Sequence, residues 1–466
     1  MASEIRVNKI ENRSGLGTVT FADTGVDLAG IVTATTFSGS GASLTALPSA
    51  QLSGALPAIS AASLTNVPAA NVVGVHTSLT VTNATTTGTA IVGGGVTISE
   101  SGIEASGIGI TCANINGAQV GGRRNKIING AMTINQRAHT GAVGHNAYGL
   151  DRWKYNRSAN AEFNIEQSTE TPDGFAKSLQ VDCTTASGSV GSSDYARLRY
   201  HLEGQDLQDF AKGTSSAKKF ALSFYAKSSV TGDYCIAFED GDNNRMVTTT
   251  YTVSNTNWNR YEISIPADAT GAFDNDANGS LTIWWWFVSG SNFQSGSAQT
   301  TWGAYAENAL GKGHTANLGS STSNNFYLTG VQLEVGSQAT AFEHRSYTED
   351  LRLCQRYFQF IGSGFCAAAR GGSSSLYIYS YTCPVNLRAS PTISTSDTIA
   401  HGTFSIRRYR DSAATSDSTN TPATNSSLFQ LNNNTIRLQQ DGFSAVDDRS
   451  ATIYISGGAI TLSSEL

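Results

Sequence analysis

The chain has 466 residues, only 14% of them charged, with a net charge of −6 and Gly, Ser, Thr, Asn and Ala dominating. That length exceeds one hydrophobic core and predicts three or four units, while the charge leaves no footprint for a nucleic-acid partner. No run approaches the ~18 apolar residues of a membrane span and the opening MASEIRVNKI has no apolar leader core, which excludes membrane insertion and predicts a soluble chain made in a cytoplasm, leaving it by lysis.

Residues 1–40 alternate β-branched and polar side chains (Ile5, Val7, Ile10; Val19, Phe21; Ile31 to Phe37), with Gly15, Gly17, Gly25 and Gly30 between. These are short strands. They read either as a frayed terminus or as an attachment segment that orders on docking to a larger assembly.

Residues 41–122 lack Phe, Tyr, Trp, Lys and Arg altogether. Such a span cannot close a globular core by itself. It carries a repeat: Ala42 to Gly54 (ASLTALPSAQLSG) aligns with Ala62 to Gly74 (ASLTNVPAANVVG). The aliphatic side chains of each copy have nothing in their own chain to cover them. Disorder is one outcome; winding of several identical chains about a common axis is the other. The regular continuation Ile91, Val96, Ile98, Ile103, Ile108, Ile110, Ile115, Val120 favours a slender intertwined β stem with cyclic symmetry.

At Arg123 the composition changes, and all six tryptophans lie between Trp153 and Trp302. Strand-like runs at 151–155, 178–181, 197–200, 220–225, 234–238, 260–265, 281–288 and 325–335, with Gly/Asn/Asp turns between, predict a two-sheet jelly roll over 123–345. In Asn325–Val335, Phe326 and Leu328 share one phase, and Val331, Leu333 and Val335 the other. One long strand with a bulge at Gly330 accommodates both. Ser346 and Glu349 then have capping-box spacing, and Tyr347, Leu351, Cys354 and Phe358 form one apolar stripe, predicting a linking helix over 346–358. Residues 359–466 contain no Trp and no Lys, and six short strand signals with a polar loop from Arg410 to Asn425 predict a small β-rich tip.

Several constellations invite chemistry. In Trp284-Trp285-Trp286 the middle indole points opposite to its neighbours, so one face is core and the other is either covered or a platform for a pyranose ring, with Trp285 the candidate. Asp274, Asp276 and Asn278 match the first half of a calcium loop, but Trp285 stands where the bidentate carboxylate belongs, so an Asx-rich turn competes with the metal reading. Tyr377, Tyr379 and Tyr381 share one strand face, and Arg407, Arg408 and Arg410 follow beside another. These tyrosines with Arg408 and Arg410 suit a hydroxyl-rich or anionic glycan, or the tyrosine face lines an intersubunit core. Cys112, Cys183, Cys235, Cys354, Cys366 and Cys383 show no metal spacing, so buried thiols are expected; Cys366 and Cys383 could meet across a hairpin, which nothing requires. No catalytic motif is present, and neither cofactor nor turnover is expected.

The run from Leu328 to Phe358 (LTGVQLEVGSQATAFEHRSYTEDLRLCQRYF) resembles a segment recurrent in tail-fibre proteins of tailed bacteriophages. Arg124 to Gly130 and Leu150 to Trp153 resemble the opening of that family's β-sandwich, and Arg388 to Pro391 its turn. Met1 to Phe21 and the LTNVPAANVVG repeat are similar to tail fibres of phages that infect cyanobacteria. The resemblance implies an all-β, elongated homotrimer. Its parts would be N-terminal attachment strands docking to the phage tail or other virion proteins, a repeat stem, a carbohydrate-binding-like jelly roll and a β-rich tip. Its expected work is adsorption to a host surface polysaccharide; a capsid-attached fibre and a polysaccharide-degrading tailspike are the alternatives.

Overall fold

The computed structural model describes residues 9–11, 18–23, 25–28, 31–33, 35–36, 90–92, 96–99, 102–105, 114–115, 118–119, 123–362, 366–373, 376–395, 404–408, 426–430, 434–440, 450–455 and 460–466. The LTNVPAANVVG repeat, Cys112 and Arg410 lie outside them. The chain divides into two units, Met1–Glu104 and Ala105–Leu466. In the first, β1 (Lys9–Glu11), β2 (Thr18–Ala22) and β3 (Gly25–Leu28) form one antiparallel sheet. A second sheet joins β4 (Ala90–Val92), β5 (Val96–Ser99) and β6 (Gly102–Ala105).

The second unit opens on the two-stranded ladder of β7 (Asn114–Ile115) and β8 (Ala118–Gln119). A sandwich follows: β9 (Ala147–Leu150), β10 (Trp153–Arg157), β11 (Glu162–Ser168), β12 (Ser178–Thr185), β13 (Tyr195–Glu203), β14 (Phe220–Ser228), β15 (Gly232–Asp240), β16 (Arg245–Val253), β17 (Asn259–Ile265), β18 (Gly279–Ser289), β19 (Gly303–Ala304) and β20 (Asn325–Val335). One sheet runs β19-β16-β15-β18-β13-β10-β9 and the other β11-β12-β20-β14-β17. Alternation along each strand buries one row between the sheets, as in β13, where Ala196, Leu198 and Tyr200 are inside while Arg197 and Arg199 point out. Trp153, Trp285, Tyr200, Phe224 and Tyr234 meet in this core, Trp153 and Trp285 with centroids 5.3 Å apart. Each such ring contributes roughly 5 kcal/mol of transfer free energy.

β20 is the long bulged strand that its sequence predicts. Gly330 has φ +62° and the register against β14 shifts between Ser223 and Tyr225. A Cβ at Gly330 would stand 2.6 Å from the Phe175 ring, so glycine is required there twice over. Both phases are buried, with Phe326, Leu328, Val331 and Leu333 fully inside.

The segments that resemble the phage family are the fasteners of this sandwich. Asn125 reaches β20 from both ends of its amide: Nδ2 donates to the Val331 carbonyl (3.1 Å), and Oδ1 accepts from the Leu333 N–H (3.1 Å). Glu343 accepts from the N–H groups of Arg124 and Asn125 (2.9 and 2.8 Å). Asp151 accepts from Gln136, and the Trp153 indole donates to the Asn129 carbonyl (3.2 Å).

The linking helix α1 spans Tyr347–Gln355, shorter than the spacing predicts, and Phe358 already belongs to the next strand. Ser346 caps it, accepting from the Glu349 N–H (3.3 Å), whereas the Glu349 carboxylate turns to Arg123 instead of closing the box. The predicted stripe is corrected at its first member: Tyr347 is 61% exposed. Cys354 and Tyr357 take the buried role, packing on Ile128 and Ile134 with Leu351, Leu353 and Leu466 at the margin.

Beyond the helix, β21 (Phe358–Ile361), β22 (Cys366–Ser373), β23 (Leu376–Thr382), β24 (Thr392–Thr395), β25 (Phe404–Arg408), β26 (Ser426–Gln430), β27 (Thr435–Gln440), β28 (Ser450–Ile455) and β29 (Ile460–Ser463) form two sheets, β21-β29-β24 and β25-β28-β22-β23-β27-β26. β21 pairs with β29, Ile361 opposite Ile460, so the C-terminal region leaves and rejoins the sandwich side by side. Arg388 fastens the return, donating to the carbonyls of Ser464 (2.7 Å), Glu465 (3.3 Å) and Ala277 (3.0 Å). Cys183, Cys235, Cys354 and Cys383 are buried free thiols.

Candidate functional site

Of the residues singled out in the sequence for glycan contact, Trp285 and Tyr381 have described side chains, and these two do not meet in one site. Trp285 is wholly buried in the main core, which removes it as a sugar platform. Its neighbours are no freer. Trp284 and Trp286 point to the other face of the sheet, but Phe293, just after β18, and Ala309 and Leu310, beyond β19, fold back over them. Tyr377 and Tyr379 stand on β23 between β22 and β27, and Arg408 ends β25; their side chains are outside the described residues, as is all of Arg410. Tyr381 is half-buried and its hydroxyl donates to Gln359 (3.3 Å), a structural duty, with burial pushing its phenol up to about 12.

The calcium half-motif is an Asx turn: the Asp276 carboxylate accepts from the N–H (2.8 Å) and the side-chain amide (2.6 Å) of Asn278. Nearby, Asp240, Asp268 and the carbonyls of Thr270 (3.2 Å) and Gly271 (2.7 Å) enclose a cation position that the Lys212 ammonium fills. Among the described residues no cluster of three His, Cys, Asp or Glu side chains is placed to hold a metal.

Two outward faces of the sandwich carry chemistry. On the five-stranded sheet, Tyr327 points out because Phe326 and Leu328 point in. Its register neighbours are Gln180 on β12 and Lys227 on β14. Trp258, just before β17, leans over this row with its ring 6.1 Å from Tyr327 at 53°. It is the one tryptophan of the six that is not buried. Glu170 sets its angle, accepting from the Trp258 indole (3.1 Å) and from Lys227 (2.8 Å), and those two hydrogen bonds hold the Glu170 carboxyl below its usual range. Gln180 donates to Asp182, whose carboxyl burial raises with a further push from Glu166. Two half-exposed rings edged by carboxylates, an amide and an ammonium can stack on the apolar face of a sugar and bond its hydroxyls.

On the seven-stranded sheet, the register sets Tyr148, Lys154, Arg199 and Trp284 in one line across β9, β10, β13 and β18. Arg197 lies over the Trp284 and Trp286 rings (3.9 and 4.6 Å to the centroids) and Arg199 over Trp284 (5.3 Å). Among the described residues no Asp or Glu carboxylate comes within 4.0 Å of any of these three cations, and Lys154 donates to the Leu466 oxygen (3.5 Å). Glu239 accepts instead from the Trp284 indole (2.9 Å). Nε and Nη1 of Arg197 and Nε of Arg199 are buried without an acceptor. Stacking on an indole returns about 0.5–2 kcal/mol, against an effective penalty of several kcal/mol for an ion removed from water. Burial accordingly lowers Arg197 to about 10, and lowers Arg199 and Lys154 as well.

Both faces carried a signal that the sequence reading passed over. Trp258 sits in SNTNWNR, an aromatic among amides and charges rather than in an apolar run. Arg197, Arg199 and His201 alternate with Ala196, Leu198 and Tyr200.

No known protein family matches the sequence, and no curated protein does. Among solved structures, the enzymatically active domain of tailspike protein 4 of bacteriophage CBA120 is similar at 12% identity, over 45% of this chain and 21% of that one (TM-score 0.26). The family 11 carbohydrate-binding module of the Clostridium thermocellum cellulase Lic26A-Cel5E is similar at 14% identity, over 45% and 99% (TM-score 0.22). The CBM22-1 xylan-binding domain of Paenibacillus barcinonensis Xyn10C is similar at 12% identity, over 43% and 96% (TM-score 0.22).

Proposed function

We propose that this chain is a bacteriophage tail-fibre protein, an adhesin that binds a host surface polysaccharide without turning it over. Its sequence resemblance to phage tail fibres runs through the sandwich, and the resembling residues are those that fasten β20, the helix and the C-terminus together. The observation that carries the binding reading is the Trp258–Tyr327 pair, two accessible rings oriented by Glu170 on a rigid sheet face. Each contact with a sugar chain is weak, and three copies in a homotrimer, fixed to the virion through residues 1–40, would sum them into firm adsorption.

The test is adsorption of the full-length protein to host cells and to their extracted polysaccharide, with and without the Trp258→Ala and Tyr327→Ala changes. Loss of binding in both variants with an unchanged oligomer supports the reading. Undiminished binding moves the glycan site off this face.

A further inference from the structure

We propose that the outer face of the seven-stranded sheet is a second binding site, for an anionic oxygen group. The group is a carboxylate or sulfate, carried by an acidic glycan or free in solution, received by Arg197 and Arg199 with Lys154 beside them. This site lies on the opposite sheet from Trp258 and stands independently of the glycan site there.

Three features of the geometry point to it. Three cations occupy adjacent positions of one sheet surface, Arg199 directly opposite Lys154 in the register and Arg197 two residues along the same strand. Like charges so placed repel one another, and the nearby carboxylates are engaged elsewhere: Glu239 by Trp284, and Glu465 by Arg137 and Arg152. The guanidinium N–H groups named above are removed from water yet have no acceptor, a state that native structures rarely tolerate. Finally, the guanidiniums are held in place: the rings of Trp284 and Trp286 lie beneath Arg197 and Trp284 beneath Arg199. Such donors recognise a carboxylate or sulfate with little loss of side-chain freedom. At the end of the line Tyr148 and Lys154 both donate to the Leu466 oxygen (2.6 and 3.5 Å), which leaves the Arg197 and Arg199 guanidiniums as the donors without an acceptor.

The experiment is titration of the full-length protein with sodium sulfate at constant ionic strength, balanced with chloride and read by tryptophan fluorescence. Parallel titrations use an α-1,4-linked galacturonate oligomer and its methyl ester. Saturable binding of sulfate is expected, weaker by about tenfold in Arg199→Gln and unchanged in Trp258→Ala. Arg199 is half-exposed, so its variant should fold, as its melting temperature would report; Arg197→Gln serves as the more severe second variant. Tighter binding of the galacturonate oligomer than of sulfate, lost in its methyl ester, assigns the anion to a glycan. Equal binding of ester and acid leaves a site for small free anions. A linear, non-saturating response to sulfate, or a folded Arg199→Gln protein with wild-type affinity, overturns the proposal.

Discussion

Arg152 donates to the carboxylate of Glu465 at 2.8 Å across 313 residues of chain, and both side chains are sealed from water, 2% and 4% exposed. The guanidinium also donates to the His201 carbonyl (2.6 Å) and lies 3.4 Å over the Tyr357 ring. Its backbone holds φ +75°, a conformation that a long side chain keeps only under such support. Arg137 reaches the same carboxylate at 3.0 Å. The last residues of the sequence are thus bolted to the start of the sandwich.

Glu465→Ala therefore leaves two guanidiniums facing a void, and should cost on the order of 3–5 kcal/mol. Urea unfolding followed by tryptophan emission measures it. Replacing both members of the pair, Arg152→Met with Glu465→Leu, should recover much of that loss, because no charge is then stranded.

Acid should weaken the sandwich through its buried histidines. His314 is buried, its Nδ1 accepting from the Cys235 N–H (3.3 Å), and burial lowers it from 6.5 to about 4. Below pH 6.5 the unfolded chain takes up a proton that the folded one refuses. Stability is then fully present above 6.5 and declines as pH falls toward 4, by on the order of 3 kcal/mol from this group. His201, also lowered by burial, adds in the same direction. Denaturation midpoints between pH 7 and pH 4 should fall in wild type and less steeply in His314→Gln.

Trp258→Ala should reduce affinity for host polysaccharide at least tenfold, and Tyr327→Ala somewhat less, since a buried contact ring contributes on the order of 1–2 kcal/mol or more. Glu170→Gln is the discriminating change. It keeps an acceptor for the indole but removes the ion pair to Lys227, so a modest loss of affinity at unchanged stability is expected by calorimetry.

Around the helix, two tyrosines ten residues apart should behave oppositely. Tyr347→Ala removes an exposed ring and should change stability by less than about 0.5 kcal/mol. Tyr357→Ala empties a place beneath Arg152 and should cost about 3–5 kcal/mol. Thermal unfolding of the two variants separates them.

Much of the sandwich was legible because its strands alternate. The phase slip at Gly330 located a bulge, and its positive φ is the physical reason that glycine stands there. β11 was not legible: Phe163 and Ile165 are its only apolar members, since an edge strand buries little. β16 was missed although its threonines are β-branched, because it lacks the aliphatic run of a central strand. The tryptophan triplet misled for another reason. Alternation shows that Trp284 and Trp285 face apart, but it cannot show that a loop from residue 290 onward returns to cover the outer pair. The candidate faces were readable as alternation in YARLRYH and NFYL, yet their charge balance depends on partners far along the chain.

The pairing of Ile361 with Ile460 has a consequence for how such a chain can change. Closing a loop of twice the length costs only about 0.6 kcal/mol more. With Arg388 and β24 kept, which tie this excursion to the sandwich and to β29, the rest between those two isoleucines can lengthen, shorten or be replaced while the N–H of Ser464 still meets the Tyr357 carbonyl at 2.8 Å. A recombination with crossovers at these two codons, between chains that both keep those ties, would exchange the whole excursion as a cassette, leaving the tryptophan core inherited intact.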